Sequence, residues 1–178
     1  MTDIGLGHIY SLLPWAIPWY GELTSPAPPK PEVKYGEFKF KLTYEENGKI
    51  KTIEDAIICE FDGFKYHSSI GKTRKWKTYL KSGNEYVVLS DVSGLNVKDE
   101  YNNKILKLYF SYGNAEYYMG AKSDDARSEQ SLNYVSYLRE DDNGDVGHSI
   151  LNSEVALTKF NIRILKWECD SPIKNEYK

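Results

Sequence analysis

Several groups of residues in this chain are of types that could do chemistry, and their spacing decides what each could do. His67 stands beside Ser68 and Ser69, a base next to hydroxyls. Neighbours on a strand point to opposite faces, and neither a GxSxG elbow nor a third partner accompanies them, so nucleophilic catalysis is not expected. Asp141, Asn143 and Asp145 alternate as the first oxygen ligands of a calcium loop do, because a hard cation needs converging oxygens. The pattern then breaks: Gly144 and Gly147 fall at the wrong places for the turn, and the twelfth position is Asn152 rather than a bidentate Glu. A solvated turn is the expected state, with a metal site as the alternative, and the adjacent His148 reads as a surface residue.

A third group mixes cations with rings. Lys72, Arg74, Lys75, Lys77 and Lys81 surround Trp76 and Tyr79, a combination able to hold the phosphate of an anionic wall polymer, a lipid headgroup or a nucleic acid while stacking on a base or sugar. In a strand, Arg74, Trp76 and Thr78 would share one face and Lys75, Lys77 and Tyr79 the other. The competing reading sends Trp76 to the core and leaves the lysines to guard a sheet edge. Around Gly113-Asn114, Tyr109, Tyr112, Tyr117 and Tyr118 form the densest aromatic cluster, either a platform for sugar rings or core and rim of a sheet. The binding residues expected from these two groups are Lys72, Arg74, Lys75, Trp76, Lys77, Tyr117 and Tyr118. Cys59 and Cys169 lie in apolar contexts without CxxC spacing, which excludes ordinary zinc and thioredoxin motifs and leaves two buried thiols or one disulfide. No cofactor is implied.

The elements that must position these groups follow from composition and pattern. The 178 residues are 40% hydrophobic and 14% aromatic, enough for one ordinary core, and their Tyr, Trp, Phe, Val and Ile favour a pleated, half-buried surface. With 23 basic and 26 acidic residues, the net charge of −3 provides no field that would concentrate a polyanion, so nucleic acid is disfavoured as a partner. Residues 1–25 form an apolar, aromatic arm. It lacks a basic flank and contains Pro14 and Pro18, so it is neither a standard signal peptide nor a helix able to span a bilayer. Leu12, Leu13, Trp15, Ile17 and Trp19 are expected either to sit at a membrane surface, with any anchor upstream, or to dock onto the domain or a second subunit. Residues 26–34, with Pro26, Pro28, Pro29 and Pro31, read as a polyproline II spacer, and residues 35–178 as a single domain.

Within that domain Phe38, Phe40, Leu42 and Tyr44 alternate with polar residues, and Asn47-Gly48 supplies a type I′ turn into a strand from Lys49 through Phe61. Asp62-Gly63 is expected to turn the chain. Further strands are expected at Tyr86 to Leu89, Ile105 to Phe110, Glu116 to Met119 and Phe160 to Cys169. Lys72 to Leu80 and Ser128 to Leu138 fit either a strand or a helix, and Glu140 to Asp145 an exposed hairpin tip. The expected fold is mainly β: an antiparallel sandwich, Ig-like or jelly-roll-like, or else a partly open barrel.

Pro28-Pro29-Lys30-Pro31-Glu32, Tyr35-Gly36-Glu37-Phe38, Ile58-Cys59-Glu60-Phe61-Asp62-Gly63, Gly71-Lys72, Arg74-Lys75-Trp76, Ala115-Glu116-Tyr117-Tyr118-Met119-Gly120 and Pro172-Ile173-Lys174-Asn175 together resemble an uncharacterised family of Gram-positive bacteria, mostly Firmicutes. The resemblance covers roughly residues 26–178. Members of that family carry one N-terminal transmembrane helix, which these residues do not show, a proline-rich spacer and an extracytoplasmic β-rich domain, so the resemblance implies location and fold style only. The function expected is therefore a non-catalytic binding or interaction module of the cell envelope, its partner an envelope polymer, a membrane surface or a protein. An enzyme acting on an envelope polymer through Glu60, Asp62 or Glu116, and an assembly subunit docking and oligomerising through the arm, are the alternatives.

Overall fold

The computed structural model describes residues 23–120 and 132–177. The arm residues Leu12, Leu13, Trp15, Ile17 and Trp19 lie outside the described residues, as do residues 128–131 of the ambiguous segment. The described chain is mainly β, built of two antiparallel four-stranded sheets, one strongly curled towards a half-barrel. Strands β1 (Tyr35–Glu46), β2 (Lys49–His67), β3 (Gly71–Leu80) and β8 (Ile162–Cys169) form the first, in the order β3-β2-β1-β8. Strands β4 (Val87–Asp91), β5 (Lys104–Phe110), β6 (Tyr134–Glu140) and β7 (Val146–Asn152) form the second in sequential order. β8 thus returns beside β1 after the whole second sheet has been laid down, a Greek-key closure. Helix α1 (Ala115–Tyr118) follows β5, and helix α2 (Ser153–Phe160) joins β7 to β8.

The β1–β2 hairpin forms as its pattern requires. Asn47 and Gly48 hold φ of 51° and 73°, the left-handed pair of a type I′ turn, and Glu46 pairs with Lys49 across it. Phe38, Phe40, Leu42 and Tyr44 all point into the core, against Ile105, Leu108 and Phe110 of β5 and Val135 and Tyr137 of β6. Trp167 of β8 joins the layers, stacking on Phe40 and packing against Phe110 at 4.8 Å each, and the Tyr44 hydroxyl donates to the Leu89 carbonyl at 3.1 Å. The apolar run Ala56–Cys59 is buried throughout, as its lack of alternation suggested.

Three local expectations are corrected. Asp62-Gly63 does not turn the chain; β2 continues to His67, and the pair marks a register irregularity against β3 between Phe61 and Phe64. Glu116–Met119 is helical rather than extended, because the Asn114 side chain caps α1 by accepting from the Tyr117 N–H at 3.1 Å. Phe160 ends α2 instead of starting a strand. Asn152 caps that helix at its N-terminus, accepting from the Val155 N–H at 2.8 Å, and Asn161 closes it with φ of 52°.

The proline segment is a further correction, because its last part is not a free stalk. Pro31 is buried and bridges to Tyr177, while the Glu32 N–H donates to the Glu176 carbonyl at 2.8 Å. The Asn175 side-chain amide grips Val33 twice, accepting from its N–H at 3.0 Å and donating to its carbonyl at 2.8 Å. Arg74 completes this clasp, donating through Nε to the Pro29 carbonyl at 2.8 Å and lying 4.0 Å over the Tyr177 ring. The proline segment and the C-terminal segment are thereby fastened to each other and to β3.

The loop before β5 hangs on Asp99. Its carboxylate accepts from the backbone N–H groups of Tyr101 and Asn103, from the Asn103 amide and, at 3.3 Å, from the Tyr137 hydroxyl. Burial would push this carboxyl up, but those hydrogen bonds outweigh it and hold it below the usual carboxylate range. A carboxyl depressed by folding contributes stability that is fully present above its unfolded pKa and is lost as pH falls through its folded value. Asp99→Asn should therefore cost about 1–2 kcal/mol at neutral pH and less in acid, since the unsubstituted chain loses the same bonds there. Urea unfolding at neutral and acid pH measures this; an undiminished gap in acid would refute it.

Candidate aromatic cleft

On the outer face of the second sheet, strand register brings together residues that are far apart in sequence. Val88 pairs with Tyr109, Tyr109 with Ser136 and Ser136 with Ile150, and the next row sets Leu138 beside His148. Leu108 and Phe110 face the core, so alternation turns Tyr109 outward, yet it stays only 8% exposed because neighbouring rings cover it. Tyr86 packs on Tyr109 with centroids 4.7 Å apart, and His148 stands edge-on to the same ring at 6.0 Å. The Tyr109 hydroxyl and His148 Nδ1 are hydrogen-bonded at 2.9 Å.

These side chains, with Glu85, Tyr112 and Gly113, line a cleft of about 270 Å³. Its walls come from the residues before β4, the end of β5 and the middle of β7. The Tyr86 hydroxyl donates to Glu85 Oε1 at 2.6 Å, which pushes the phenol up to about 12, so Tyr86 keeps its proton at neutral pH. Burial pushes Tyr109 and Tyr112 up as well. The cleft is thus neutral aromatic surface rimmed by one carboxylate and one imidazole. Such a surface can stack on the C–H face of a ring while Glu85 and the phenols exchange hydrogen bonds with its hydroxyls.

The basic group does not make a surface of this kind. Lys75 and Lys77 both pair with Asp62, at 2.6 and 3.2 Å, and hold its carboxyl below the usual range. Arg74 belongs to the clasp, Trp76 packs edge-on to Phe61 at 5.4 Å, and Lys72 sits opposite Tyr66 in the β2–β3 ladder. Lys81 pairs with Glu37 at 2.7 Å. Lys75, Lys77 and Lys81 are thus paired with carboxylates and Arg74 with the clasp instead of being pooled to face a ligand. Tyr118 is likewise core: 1% exposed, 5.0 Å from Phe38, its hydroxyl donating to the Tyr112 carbonyl at 2.5 Å. Tyr117 leans on it half-buried, at 5.0 Å. Of the tyrosine cluster, only Tyr109 and Tyr112 reach the cleft.

The acidic turn spends its ligands on its own backbone. Asp141 Oδ1 accepts from the N–H groups of Asn143 and Asp145, at 2.8 and 3.0 Å, so this carboxylate oxygen closes the hairpin. Among the described residues no group of three His, Cys, Asp or Glu side chains is placed to hold a metal ion. Cys59 and Cys169 are both free thiols. β1 runs between their strands, with Cys59 opposite Gly36 and Cys169 opposite Phe40, so two inter-strand spacings, roughly 10 Å, separate backbones that a disulfide needs within about 7 Å. Burial pushes the Cys59 thiol up to about 12, which leaves it unreactive.

A second depression, about 340 Å³ and more open, lies over Lys39, Phe40, Lys41, Glu168, Cys169 and Asp170. Its charges are committed: Asp170 accepts from the Lys39 N–H at 2.8 Å, Lys41 pairs with Glu54 at 2.7 Å and Glu168 with Lys166 at 2.8 Å. No helix among the described residues is long and apolar enough to cross a membrane. No family model, no curated protein and no solved structure matches the chain.

Of the cleft residues, Glu85 was not singled out in the sequence, Tyr86 was read only as the start of a strand and His148 only as a surface residue. Nothing local marks them, since they lie 63 positions apart at the extremes and meet only through the β4-β5-β6-β7 register. A strand-by-strand count of outward positions would have put Tyr86, Tyr109 and His148 on one face, provided the neighbours were known.

Proposed function

We propose that the chain is a non-catalytic binding module of the bacterial cell envelope, and that it takes one ring of a sugar polymer in the cleft of Tyr86, Tyr109 and Tyr112. The observation that carries this reading is the packing of tilted phenol rings beside a single carboxylate in a cleft on the outer side of the second sheet. At about 270 Å³ the cleft lies just below the usual small-molecule range of about 300–1,000 Å³, so it suits one unit of an extended chain. Hydrolysis of such a polymer would ordinarily need two carboxyl groups flanking the bond, one of them kept protonated. Glu85 is the one carboxylate lining the cleft, and every carboxyl with a resolved shift among the described residues is lowered. Of the acids considered for an enzyme, Asp62 is tied to Lys75 and Lys77, and neither Glu60 on β2 nor Glu116 on α1 lines the cleft.

The test is titration of the purified chain with soluble fragments of a bacterial wall polysaccharide, followed residue by residue in amide NMR spectra. Shifts should cluster at Tyr86, Tyr109, Tyr112 and His148. Tyr86→Ala should weaken binding roughly tenfold or more through the lost stacking, while Lys75→Ala with Lys77→Ala should leave it unchanged. Shifts centred on β3, or binding indifferent to Tyr86, would refute the proposal.

A further inference from the structure

The two sheets end in four edge strands, and three of them are blocked against pairing with another chain. β3 carries Lys72, Arg74, Lys75 and Lys77, and the segment around Pro29 is held beside it by Arg74. β8 carries Arg163, Lys166 and Glu168. β4 is five residues long, ends in Asp91 and loses register with β5 between Val88 and Ser90. Charge, brevity, irregularity and cover are the usual protections of an edge.

Among the described residues β7 has none of these. Its sequence, VGHSILN, contains neither Lys, Arg, Asp, Glu nor Pro, and it pairs with β6 over all seven residues without a register shift. Among the described residues β6 is its one strand partner. Its outward side chains Val146 and Ile150 are 60% and 63% exposed, and Tyr134 on β6 adds 49%. A regular, uncharged, apolar edge of this kind is a template for strand addition.

We infer that β7 is the contact through which two copies of this chain pair, antiparallel and about a two-fold axis at Ser149. A second copy is the occupant that the strand itself describes. Reversed about Ser149, the outward residues Val146, His148, Ile150 and Asn152 place His148 opposite Ile150 and Val146 opposite Asn152, so no like charges meet. The same pairing attempted at β3 would set cations against cations. Because the other three edges are blocked, the contact closes at two copies instead of growing into a filament. The dimer joins the second sheets into one eight-stranded sheet. His148 sits on β7 and also lines the cleft, so the two clefts fall on one continuous face, an arrangement suited to a polymer that repeats.

Sedimentation velocity of the full chain, over a concentration series of roughly two decades, tests this without any sugar. A reversible monomer–dimer equilibrium is expected. Ile150→Lys and, independently, Val146→Lys should each weaken it roughly tenfold or more, because each puts two ammonium groups into the contact, and Val88→Lys at the opposite edge should not. Ile150 and Val146 are exposed, so both variants fold, and either alone suffices. In the unsubstituted chain, amide exchange along residues 147–151 should slow as concentration rises. A chain that stays monomeric throughout, a dimer unchanged in both lysine variants, or exchange in β7 indifferent to concentration would overturn the inference.

Discussion

Gly120→Ala should destabilise the protein by about 3 kcal/mol or more, lowering the melting temperature by roughly 10 °C, although it adds a single methyl group. Two costs combine at this position. Gly120 ends α1 with φ of 65°, a left-handed conformation in which a Cβ carries its own penalty of roughly 1–2 kcal/mol. That Cβ would also press into the Ile173 carbonyl and lie 3.1 Å from the Asn175 N–H. Both obstacles are backbone, so relief requires the C-terminal segment to move. Ile173 donates its N–H to the Tyr118 carbonyl at 2.9 Å, and Asn175 is the residue that grips Val33, so moving the segment loosens the clasp. Gly48→Ala is the control: its φ of 73° carries the conformational penalty, but nothing lies within 4 Å of the added methyl. Thermal unfolding should place Gly48→Ala well above Gly120→Ala, with proteolysis of the C-terminal segment accelerated only in the latter. Equal melting temperatures would refute the close-packing argument.

Tyr118→Ala should cost still more, about 3–5 kcal/mol, which places this tyrosine in the core rather than on a binding face. Its ring fills space against Phe38 and Tyr117, and its hydroxyl satisfies the Tyr112 carbonyl. Burial pushes the phenol far above its ordinary range, so it donates that hydrogen bond at any pH the fold tolerates. Truncation leaves a cavity beneath the strand-to-helix turn from which Tyr112 projects. Tyr118→Phe keeps the volume and loses only the hydroxyl, costing about 1–2 kcal/mol for the orphaned carbonyl. Chemical denaturation separates the two effects, and the cleft offers a second readout. Tyr118→Phe should bind sugar fragments as the unsubstituted chain does; a loss of binding without loss of stability would return Tyr118 to the ligand face.

The parts of the fold legible in the sequence were those governed by near neighbours. Phe38, Phe40, Leu42 and Tyr44 at period two, followed by Asn47-Gly48, specify a strand and its turn because side-chain alternation and left-handed φ are local properties. The turn at Asp141–Asp145 was legible for the same reason. Helices α1 and α2 were missed although Asn114 and Asn152 announce both. Each helix is short, and its apolar residues also fit a strand, so the caps were the one discriminating signal. Asp62-Gly63 misled in the opposite direction, since the dipeptide that favours a turn also suits an irregularity within a long paired strand.

The candidate site was legible only in outline. The aromatic richness around Gly113 was visible, but which tyrosines point outward was not, because a strand has two faces and only its partners decide which is buried. Tyr118 looked as available as Tyr109, and the lysines of β3 looked as free as any, until Asp62 was placed between Lys75 and Lys77. Proline content suggested a spacer but gave no sign of what Pro31 would pack against, 146 positions along the chain at Tyr177.

By itself, then, the sequence determined what local sterics and side-chain period can determine: a β-rich chain of aromatic-faced strands, its tight turns and a near-neutral charge. Tertiary structure decided the rest. The Glu85–Tyr86–Tyr109–His148 cleft, the neutralised cations of β3, the separated thiols and the clasp of the proline and C-terminal segments each depend on contacts between residues distant in sequence. Such contacts are set by strand order and register, which arise when two sheets bury their apolar faces together, a cooperative property of the whole core that no single window of sequence contains.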